Sequence, residues 1–313
     1  MKDLISIIIP AHNRGHLIAE TLRSIQEQTH KNWECIIVDD DSKDTTAAVV
    51  LSFIQKDERF RYIKRPHTYK KGPSGTRNCG IDMAQGDFIQ FCDDDDILHP
   101  ANMTITLKSI TNKYDFCWVG QESFYNDFHY QYDTDTCNDF ESFSIGIDQL
   151  YEMISNEIPF GTCRVLWRKK IFNEVRFNEE LHYAEDWEIS QRLLSKGIKG
   201  VGIKKNLYYA RKHGKSNTVE FWSGDPKRRS SKIAASKAII DNLIVKGFFD
   251  KKFQRFFVQS AIFLKSRELL DYTLKKPEIM RSDRIKFANL YRYYPVISYL
   301  MRRKKQFRKL FKK

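Results

Sequence analysis

The segment that decides the fold is "GDFIQFCDDDDILHP", residues 86–100, in which an apolar run is followed by four consecutive aspartates. The run 88–92 has the length of a buried strand, and Asp93 to Asp96 follow it directly. The surrounding chain is basic, with 53 Lys and Arg against 40 Asp and Glu in 313 residues. Acids concentrated at a strand end in a basic protein indicate a cation-binding site at the edge of a sheet.

Strands and helices alternate around this segment. Apolar runs predict strands at 4–10, 33–39, 60–65 and 88–92, and helical patterns lie between them at 16–29 and 44–57. Residues 73–87 are predicted to form a loop that leads into a helix ending near Gly86. Ile18, Leu22 and Ile25 form the apolar stripe of the first helix, and Asp44 is the expected cap of the second. This alternation predicts an α/β fold with a mainly parallel sheet covered by helices on both faces over roughly the first 120 residues.

The remainder of the chain has a different pattern. Residues 116–209 are less regular, apart from a strand-like run at 163–169 and a helix at 185–197. Three amphipathic helices are predicted at 231–247, 252–276 and 281–294. Their apolar faces contain Phe256, Phe257, Phe263, Tyr291 and Tyr294. We therefore place a boundary near residue 220, between a domain of residues 1–220 and a basic helical extension of residues 221–313.

Composition and cysteine spacing favour a cytosolic protein. The chain is 41% hydrophobic with 22 Phe, which indicates a packed core, and its N-terminal stretch does not resemble a signal peptide. No window approaches the length needed to span a bilayer. The six cysteines show no C-x-x-C spacing, and Cys35, Cys92 and Cys117 lie in apolar runs, so buried reduced thiols are expected.

The last 14 residues, 300–313, contain a run of basic residues and no acid, which predicts an anionic partner. A membrane surface, a nucleic acid or a charged polymer would each satisfy this charge. Nucleic acid is disfavoured, because four aspartates at a sheet edge repel phosphate and no nucleic-acid motif is present. The basic residues of this tail are Arg302, Arg303, Lys304, Lys305, Arg308, Lys309, Lys312 and Lys313.

Polar clusters follow three of the predicted strands. His12 and Asn13 follow the first, Asp39 to Asp41 the second and Asp93 to Asp96 the fourth. Ligands bind beyond the carboxyl ends of parallel strands, so these clusters should meet at one site. Neighbouring carboxylates repel one another, and Mg²⁺ or Mn²⁺ would neutralise them while binding a diphosphate. In an extended segment, alternation would place Asp93 and Asp95 on one side and Asp94 on the other.

Four segments together resemble the family 2 glycosyltransferases, an inverting family with the GT-A fold. They are "ISIIIPAHNR" (5–14), "LRSIQEQTHKNWECIIVDDDSKDTT" (22–46), "GPSGTRNCGIDMAQGDFIQFCDDDDILHP" (72–100) and "YAEDWEISQRLLSKG" (183–197). Their order and spacing resemble the family over about residues 3–215. Two positions depart from it: family members often have glycine where this chain has Asp41, and a small residue where it has Asp94.

The resemblance implies a nucleotide site. Pro10, His12 and Arg14 would frame the base and the phosphates, and Asp39 would accept a hydrogen bond from the base N3–H, which suits uracil or thymine. Arg77 would lie near the phosphates of the nucleotide-sugar, although an ion pair with a nearby aspartate is the alternative.

The resemblance also implies a metal site for Mn²⁺ or Mg²⁺. Asp93 and Asp95 would form the metal and ribose pair, with Asp95 the more direct ligand and Asp93 and Asp94 beside the nucleotide. Asp96 would either support a ligand or have a structural role. His213 could complete the metal site or be an ordinary exposed histidine. Lys212 or Lys215 could contact phosphate oxygens.

Four further residues concern the sugars. Glu185 and Asp186 resemble the pair that activates the acceptor, with Asp186 as the base; the alternative is that both acids only stabilise a helix N-terminus. Gly161 resembles the glycine of a loop close to the donor sugar. Trp187 is either a platform on which a sugar stacks or a core aromatic residue.

We therefore expect an inverting, metal-dependent transfer of a sugar, from a UDP-sugar, to a hydroxyl of a surface polysaccharide or lipid-linked glycan. The enzyme would be peripheral on the inner face of the cell membrane, bound through its C-terminal basic helix, and its long helices would suit a homo-oligomer. A metal-dependent nucleotidyltransferase is the nearest alternative, but "PAHNRGHL" (10–17) is not the glycine-rich loop it would need. A non-catalytic module that binds a membrane or an anionic polymer is the other.

Overall fold

The computed structural model describes residues 3–129, 132, 140–213 and 217–294. The chain divides into two compact units, Met1–Ser231 and Lys232–Lys313. The boundary expected near residue 220 remains a prediction. Cys137, Lys215 and the basic tail of residues 300–313 lie outside the described residues.

The first unit is built on one mixed sheet. Its strands are β1 (Ile5–Ala11), β2 (Trp33–Asp39), β3 (Phe60–Lys64), β4 (Phe88–Phe91), β5 (Ile97–Leu98), β6 (Phe116–Tyr125), β7 (Ser142–Ile145), β8 (Val165–Arg168) and β9 (Gly200–Lys212). Within the described ranges they form a nine-stranded sheet in the order β3-β2-β1-β4-β8-β6-β9-β5, with β7 paired to β9. The α/β class predicted from sequence is confirmed.

Among the described residues before Pro226, seven α-helices accompany the sheet. They are α1 (Ile18–Gln26), α2 (Thr46–Ile54), α3 (Pro73–Met83), α4 (Asn102–Ser109), α5 (Leu150–Ile154), α6 (Glu185–Ser195) and α7 (Asn217–Ser223). The predicted stripe of α1 is buried, since Ile18, Leu22 and Ile25 are each 0% exposed. The mainly apolar strands β1 and β2 are buried as well, apart from the half-buried Pro10, as expected for strands covered on both faces.

The parallel half of the sheet contains β1 to β4. β1 pairs in parallel with both β2 and β4, and β2 pairs in parallel with β3. The carboxyl ends of β1, β2 and β4 therefore share one edge. This edge is where the polar clusters were predicted to meet.

β8 runs antiparallel to β4, with Gln90 opposite Leu166 and Phe88 opposite Arg168. The residues that precede β8 consequently lie at the same edge as those that follow β4. The contact between the Cys163 Sγ and the Asp93 Oδ1, at 3.4 Å, shows this proximity. Reversal of one strand thus adds a loop from the middle of the chain to the edge that carries the acids.

Two helix boundaries differ from the sequence predictions. α3 begins at Pro73 and ends at Met83, before the predicted end near Gly86. The residue that precedes α2 is Thr45, although the Asp44 carboxylate accepts a hydrogen bond from the Thr46 N–H at 2.9 Å. The acid predicted as a cap therefore acts one position earlier.

The middle of the chain is more regular than predicted. β9 has 13 residues and pairs with β5, β6 and β7. Its alternation is interrupted by Lys204 and Lys205, and its register with β6 shifts around Gly120. These interruptions hide a long strand from a search for period-two hydrophobicity.

Helix α8 (Pro226–Val245) contains the division between the units, and the second unit continues with α9 (Lys251–Phe263), α10 (Arg267–Leu274) and a helical stretch at 281–294. The single helix predicted at 252–276 is therefore wrong. Lys265 has a φ of 51°, and the Ser266 hydroxyl accepts a hydrogen bond from the Leu269 N–H at 3.1 Å, which starts α10 as a new helix. Across the described residues, every helix is too short or too polar to cross a membrane.

The cysteines of the described chain are buried thiols, as expected. Burial raises the pKa of the Cys35, Cys92 and Cys163 thiols well above its usual value, so these groups stay protonated and unreactive. The five unpaired, buried cysteines are Cys35, Cys79, Cys92, Cys117 and Cys163.

Candidate active site

The carboxylate that ends β2 is held rigidly. Asp39 is 2% exposed; its Oδ1 accepts the Ser42 N–H at 2.8 Å, and its Oδ2 accepts the hydroxyl of Tyr62. Burial and the adjacent Asp39 raise the pKa of the Tyr62 hydroxyl, so this group remains a hydrogen-bond donor. Tyr62 was not singled out from the sequence.

Asp41, two residues after Asp39, has a φ of 63°. This is the left-handed region in which glycine is favoured and aspartate is tolerated. The backbone here therefore explains the departure from the family pattern, because aspartate can take a conformation that glycine usually provides.

The aspartates after β4 form a turn. The Asp96 N–H donates to the Asp93 carbonyl at 3.3 Å, so the segment is not extended, and the predicted alternation of Asp93 and Asp95 against Asp94 is wrong. Asp94 and Asp95 instead converge on Arg14, whose Nε lies 3.3 Å from the Asp94 Oδ1 and 3.4 Å from the Asp95 Oδ2.

The turn is also joined to the end of β1. The exposed His12 donates its backbone N–H to the Asp94 Oδ2 at 3.0 Å, and Pro10 is half-buried in β1 opposite Val38. Burial and the neighbouring Asp95 raise the pKa of the Asp94 carboxyl, with Arg14 opposing them. The structure therefore brings His12, Arg14 and Asp94 together, while Pro10 lies in β1, two residues before His12.

Asp96 faces the interior rather than the open edge. It is 5% exposed and accepts hydrogen bonds from the Tyr208 hydroxyl, at 2.5 Å, and from the Arg211 N–H, at 2.8 Å. Burial, Asp95 and Asp93 raise the pKa of the Asp96 carboxyl. Of its two predicted roles, these contacts favour the structural one.

Asp95 meets His213 at the end of β9. The His213 Nε2 lies 2.8 Å from the Asp95 Oδ2, so the two residues predicted to bind metal are adjacent. Lys212 is exposed next to them. Within residues 3–129, 132, 140–213 and 217–294, no group of three or more His, Cys, Asp and Glu side chains is placed to hold a metal ion.

This donor set nevertheless fits a divalent ion that is bound partly by the protein and partly by the phosphate oxygens of a substrate. Mg²⁺ and Mn²⁺ usually take one or two carboxylates from the protein and fill the other positions with phosphate oxygens and water. Asp95 supplies a carboxylate and His213 an imidazole, both compatible with Mn²⁺. Two protein ligands would be sufficient if a diphosphate supplied the others.

Arg77 connects the acid turn to α6. Its side chain is 4% exposed, with Nη2 lying 3.0 Å from the Asp93 Oδ1 and Nη1 lying 3.0 Å from the Glu185 Oε1 and 3.7 Å from the Asp186 Oδ1. Burial disfavours its charge, but Asp186 and Asp93 outweigh burial and raise the pKa of the guanidinium. The alternative considered for Arg77, an ion pair with a nearby aspartate, is therefore present.

The two acids that begin α6 have different environments. Glu185 is 7% exposed, and burial and Asp186 raise the pKa of its carboxyl. The Asp186 side chain is 32% exposed, and its Oδ1 accepts the Thr162 hydroxyl at 2.7 Å. Ala184, which precedes the helix, has a φ of 65°, so the chain turns sharply into α6. Asp186 is thus the acid of this pair that reaches solvent.

Both residues predicted to contact sugars are close to Asp186 along the chain or through one contact: Trp187 follows it, and Gly161 precedes Thr162, which is bonded to it. Among the described residues, a Cβ at Gly161 would meet the Arg164 Cδ alone, at 3.8 Å, so these residues leave open space beside this glycine. Trp187 is half-buried and donates its indole N–H to the Ile154 carbonyl at 3.0 Å. This hydrogen bond attaches α5 to α6 and favours the structural role for Trp187.

Comparison with known proteins assigns the chain to a family. The profile of "Glycosyl transferase family 2" matches residues 6–175. The chain belongs to glycosyl transferase family 2. The predictions of the family and of a glycosyltransferase are therefore confirmed.

Relatives and solved structures agree with this assignment. Glycosyltransferase GlyG of Streptococcus pneumoniae serotype 4 is 29% identical over 243 residues, which cover 72% of this chain and 77% of GlyG. The Escherichia coli UDP-Glc:alpha-D-GlcNAc-diphosphoundecaprenol beta-1,3-glucosyltransferase WfgD is 43% identical over 94 residues, which cover 30% of this chain and 36% of WfgD.

A structure of S. aureus TarS in complex with UDP superposes with a TM-score of 0.67 at 17% identity, covering 93% of this chain and 87% of that one. TarS has also been solved in complex with UDP-GlcNAc. This likeness confirms the predicted GT-A fold for the family 2 enzyme.

Proposed function

We propose that the protein transfers a sugar from a UDP-sugar to a hydroxyl of a lipid-linked glycan, with inversion and with the help of a divalent metal. The central observation is the position of Arg77, which links Asp93 of the acid turn to Glu185 and approaches Asp186 of α6. A donor bound at the turn and an acceptor bound beside α6 would thereby meet at one place. Such convergence is what an in-line displacement requires.

The donor is proposed from Asp39 and from the relatives. A buried carboxylate held by Ser42 and Tyr62 is fixed in position to accept the N3–H of uracil. TarS binds UDP, and the name of WfgD specifies UDP-Glc. Pro10, His12, Arg14, Arg77, Asp93 and Asp94 would then surround the nucleotide.

The metal is proposed from the Asp95 and His213 pair. Bound there with the diphosphate, Mn²⁺ or Mg²⁺ would offset the negative charge that develops on the leaving group. The protein's own contribution is to hold the Asp95 carboxylate 2.8 Å from His213.

The transfer is proposed as a single displacement. The acceptor hydroxyl gives its proton to the Asp186 carboxylate, and its oxygen forms a bond to the anomeric carbon of the sugar. The bond between that carbon and the diphosphate oxygen breaks, and its electron pair leaves with UDP. The partly exposed Asp186 can reach an acceptor, whereas the buried Glu185 serves to hold Arg77. Gly161 leaves space for the donor sugar.

The acceptor and the location remain proposals as well. WfgD acts on a diphosphoundecaprenol-linked sugar, which supports a lipid-linked acceptor. In the second unit, Ile285, Tyr293 and Tyr294 are exposed on the helical stretch 281–294, among the basic residues Arg284 and Arg292. Exposed aromatic and basic residues suit the surface of an anionic membrane, so we propose peripheral attachment on its inner face through this stretch and the basic tail.

The proposed domains are a catalytic region of residues 1–220 and a basic helical extension of residues 221–313.

A homo-oligomer formed by the long C-terminal helices would be detected by light scattering of the purified chain.

Calorimetry tests the nucleotide and metal assignments. UDP, TDP, GDP and CDP are titrated with and without Mn²⁺ into the wild type, Asp95→Asn and Asp186→Asn. We expect metal-dependent UDP binding that Asp95→Asn abolishes and Asp186→Asn retains. Asp87→Asn, at the opposite end of β4, is the matched control. Equal binding of all four nucleotides, or none, would refute the Asp39 and Asp95 assignments.

A transfer assay tests the base. UDP release from UDP-glucose is measured with a synthetic GlcNAc-diphospholipid acceptor, and UDP-GlcNAc is the second donor. We expect Asp186→Asn to lower turnover by roughly 10²- to 10⁴-fold, the usual contribution of a general base. An unchanged rate for this variant would show that Asp186 is not the base.

A further inference from the structure

Thr162 lies between the Gly161 loop and the acid at the start of α6. It begins a short 3₁₀ turn, Thr162–Arg164, and is 0% exposed. Its hydroxyl donates to the Asp186 Oδ1 at 2.7 Å. This buried hydrogen bond joins the loop before β8 to α6, and neither the sequence motifs nor the proposed function assigns it a role.

The position of this hydroxyl is set by its surroundings. Threonine is branched at Cβ, so its side chain occupies few rotamers. The Thr162 carbonyl accepts the indole N–H of Trp167 at 3.4 Å, and Trp167 is itself fully buried in β8. The donor to Asp186 is therefore fixed by the packing of the sheet.

A second group approaches the same oxygen. The Arg77 Nη1 lies 3.7 Å from the Asp186 Oδ1, and Arg77 is held by Asp93 and Glu185, each at 3.0 Å. The Thr162 hydroxyl and the Arg77 guanidinium therefore both approach the Oδ1 of Asp186. The Asp186 side chain is 32% exposed, so the carboxylate still reaches solvent.

We propose that Thr162 is a positioning residue for sugar transfer: its hydroxyl holds Oδ1 of Asp186 so that Oδ2 faces the acceptor hydroxyl and takes its proton. The inference rests on the proposed role of Asp186 as the base. A carboxylate with one oxygen held by a buried hydrogen bond is restrained from rotating, and a catalytic group held in its productive orientation speeds the transfer of a bound substrate. Since Thr162 follows Gly161, the same turn would set both the donor-sugar loop and the base.

Two small substitutions test the hydroxyl directly. Thr162→Ser and Thr162→Ala remove the same methyl group and differ only by one oxygen, so any loss of packing is shared. Thr162→Val keeps the shape of threonine and removes the hydroxyl. The matched control is Thr106→Val, because Thr106 is 1% exposed and its hydroxyl donates within α4, to the Asn102 carbonyl and the Met103 carbonyl.

The readout is kcat and KM for UDP-glucose with the GlcNAc-diphospholipid acceptor, together with the Kd for UDP and the Tm of each full-length variant. We expect Thr162→Ala and Thr162→Val to lower kcat by about 10- to 100-fold, with KM for UDP-glucose and Kd for UDP changed less than about threefold. Thr162→Ser should retain kcat within about threefold of wild type. Thr106→Val should leave kcat unchanged.

Equal kcat values for Thr162→Ala and Thr162→Ser would overturn the proposal, because the hydroxyl would then have no effect on transfer. A loss confined to KM or to UDP binding would also overturn it, since it would place Thr162 in the donor site. Asp186→Asn separates this inference from the proposed function. If Asp186→Asn is inactive while the Ser and Ala variants are equal, only the role of Thr162 is wrong; if Asp186→Asn is fully active, the base assignment itself fails.

Discussion

Individual residues of the acid edge depend on partners that are distant in sequence. Asp39 is held by Tyr62, Asp96 by Tyr208 and Arg211, and Asp186 by Thr162. Each partner is a neutral or basic donor that stabilises a carboxylate in one orientation. The acids at this edge are therefore ordered before any ligand arrives.

Buried Glu185 should make stability depend on pH. Its pKa is raised by burial and by Asp186, and Arg77 opposes this only in part. An acid with a raised folded-state pKa contributes stability at low pH that is lost as pH rises through that pKa. We therefore expect the free energy of unfolding of Glu185→Gln, relative to wild type, to increase from about pH 4 to about pH 7.

Guanidinium unfolding at several pH values measures this difference, and Glu58→Gln, at an exposed glutamate, is the control. A difference between Glu185→Gln and wild type that stays constant with pH would contradict the prediction.

Asp41 should show the cost of its backbone conformation. Its φ of 63° favours glycine over alanine, because a Cβ is crowded in this left-handed conformation and glycine has none. We expect Asp41→Ala to be less stable than Asp41→Gly by about 1 kcal/mol. Urea unfolding of the two variants gives the difference directly, and equal stability would argue against strain at this turn.

At the scale of elements, α3 packs unusually close to β1. A Cβ added to Gly80 would lie 2.3 Å from the Ile8 Cγ2. Alanine is the better helix former, yet the overlap with a fully buried side chain should dominate. We expect Gly80→Ala to lower the free energy of unfolding by about 1–3 kcal/mol.

Gly146→Ala is the control for this substitution, since a Cβ at Gly146 meets no atom of the described chain within 4 Å. Its unfolding free energy should stay within about 0.5 kcal/mol of wild type. A Gly80→Ala variant as stable as wild type would mean that α3 can move away from β1 at little cost.

The elements differ in how far the sequence could predict them. β1, β2 and β4 were predictable because short, mainly apolar runs are typical of strands in a sheet covered on both faces. β9 was missed because Lys204 and Lys205 break its alternation. The acid turn is not predictable, since four identical side chains carry no period, and the hydrogen bond from the Asp96 N–H to the Asp93 carbonyl reveals it.

The candidate site was predictable only in part. The motifs placed Asp39, Asp95 and Asp186 by resemblance, and the structure brings Asp95 next to His213. Thr162 belongs to no motif and is recognisable only through the antiparallel pairing of β8 with β4. Side chains that act through another residue leave little trace in a single sequence.

At the scale of the whole molecule, charge is the dominant property. The net charge of +13 coexists with an acidic sheet edge, and basic residues are concentrated in the C-terminal tail. If the tail binds anionic lipid, attraction should weaken with salt, because exposed charges are screened beyond about 10 Å at 0.1 M ionic strength.

We expect co-sedimentation with phosphatidylglycerol vesicles at about 0.05 M salt to fall several-fold at about 0.5 M salt. Vesicles of phosphatidylcholine alone are the control and should bind little at either concentration. Equal binding to both kinds of vesicle, or binding that does not change with salt concentration, would contradict electrostatic attachment.

The long-range contacts of Arg211 have a consequence for the order of folding. Arg211 donates its N–H to Asp96, 115 positions earlier, and its guanidinium meets Glu20, 191 positions earlier. During synthesis the acid turn therefore emerges long before the residue whose backbone N–H is bonded to Asp96. Contacts between such distant parts of a chain form slowly, so competence to bind nucleotide should appear only once β9 has joined the sheet. In a refolding experiment, recovery of UDP binding would accordingly lag behind recovery of helical circular dichroism.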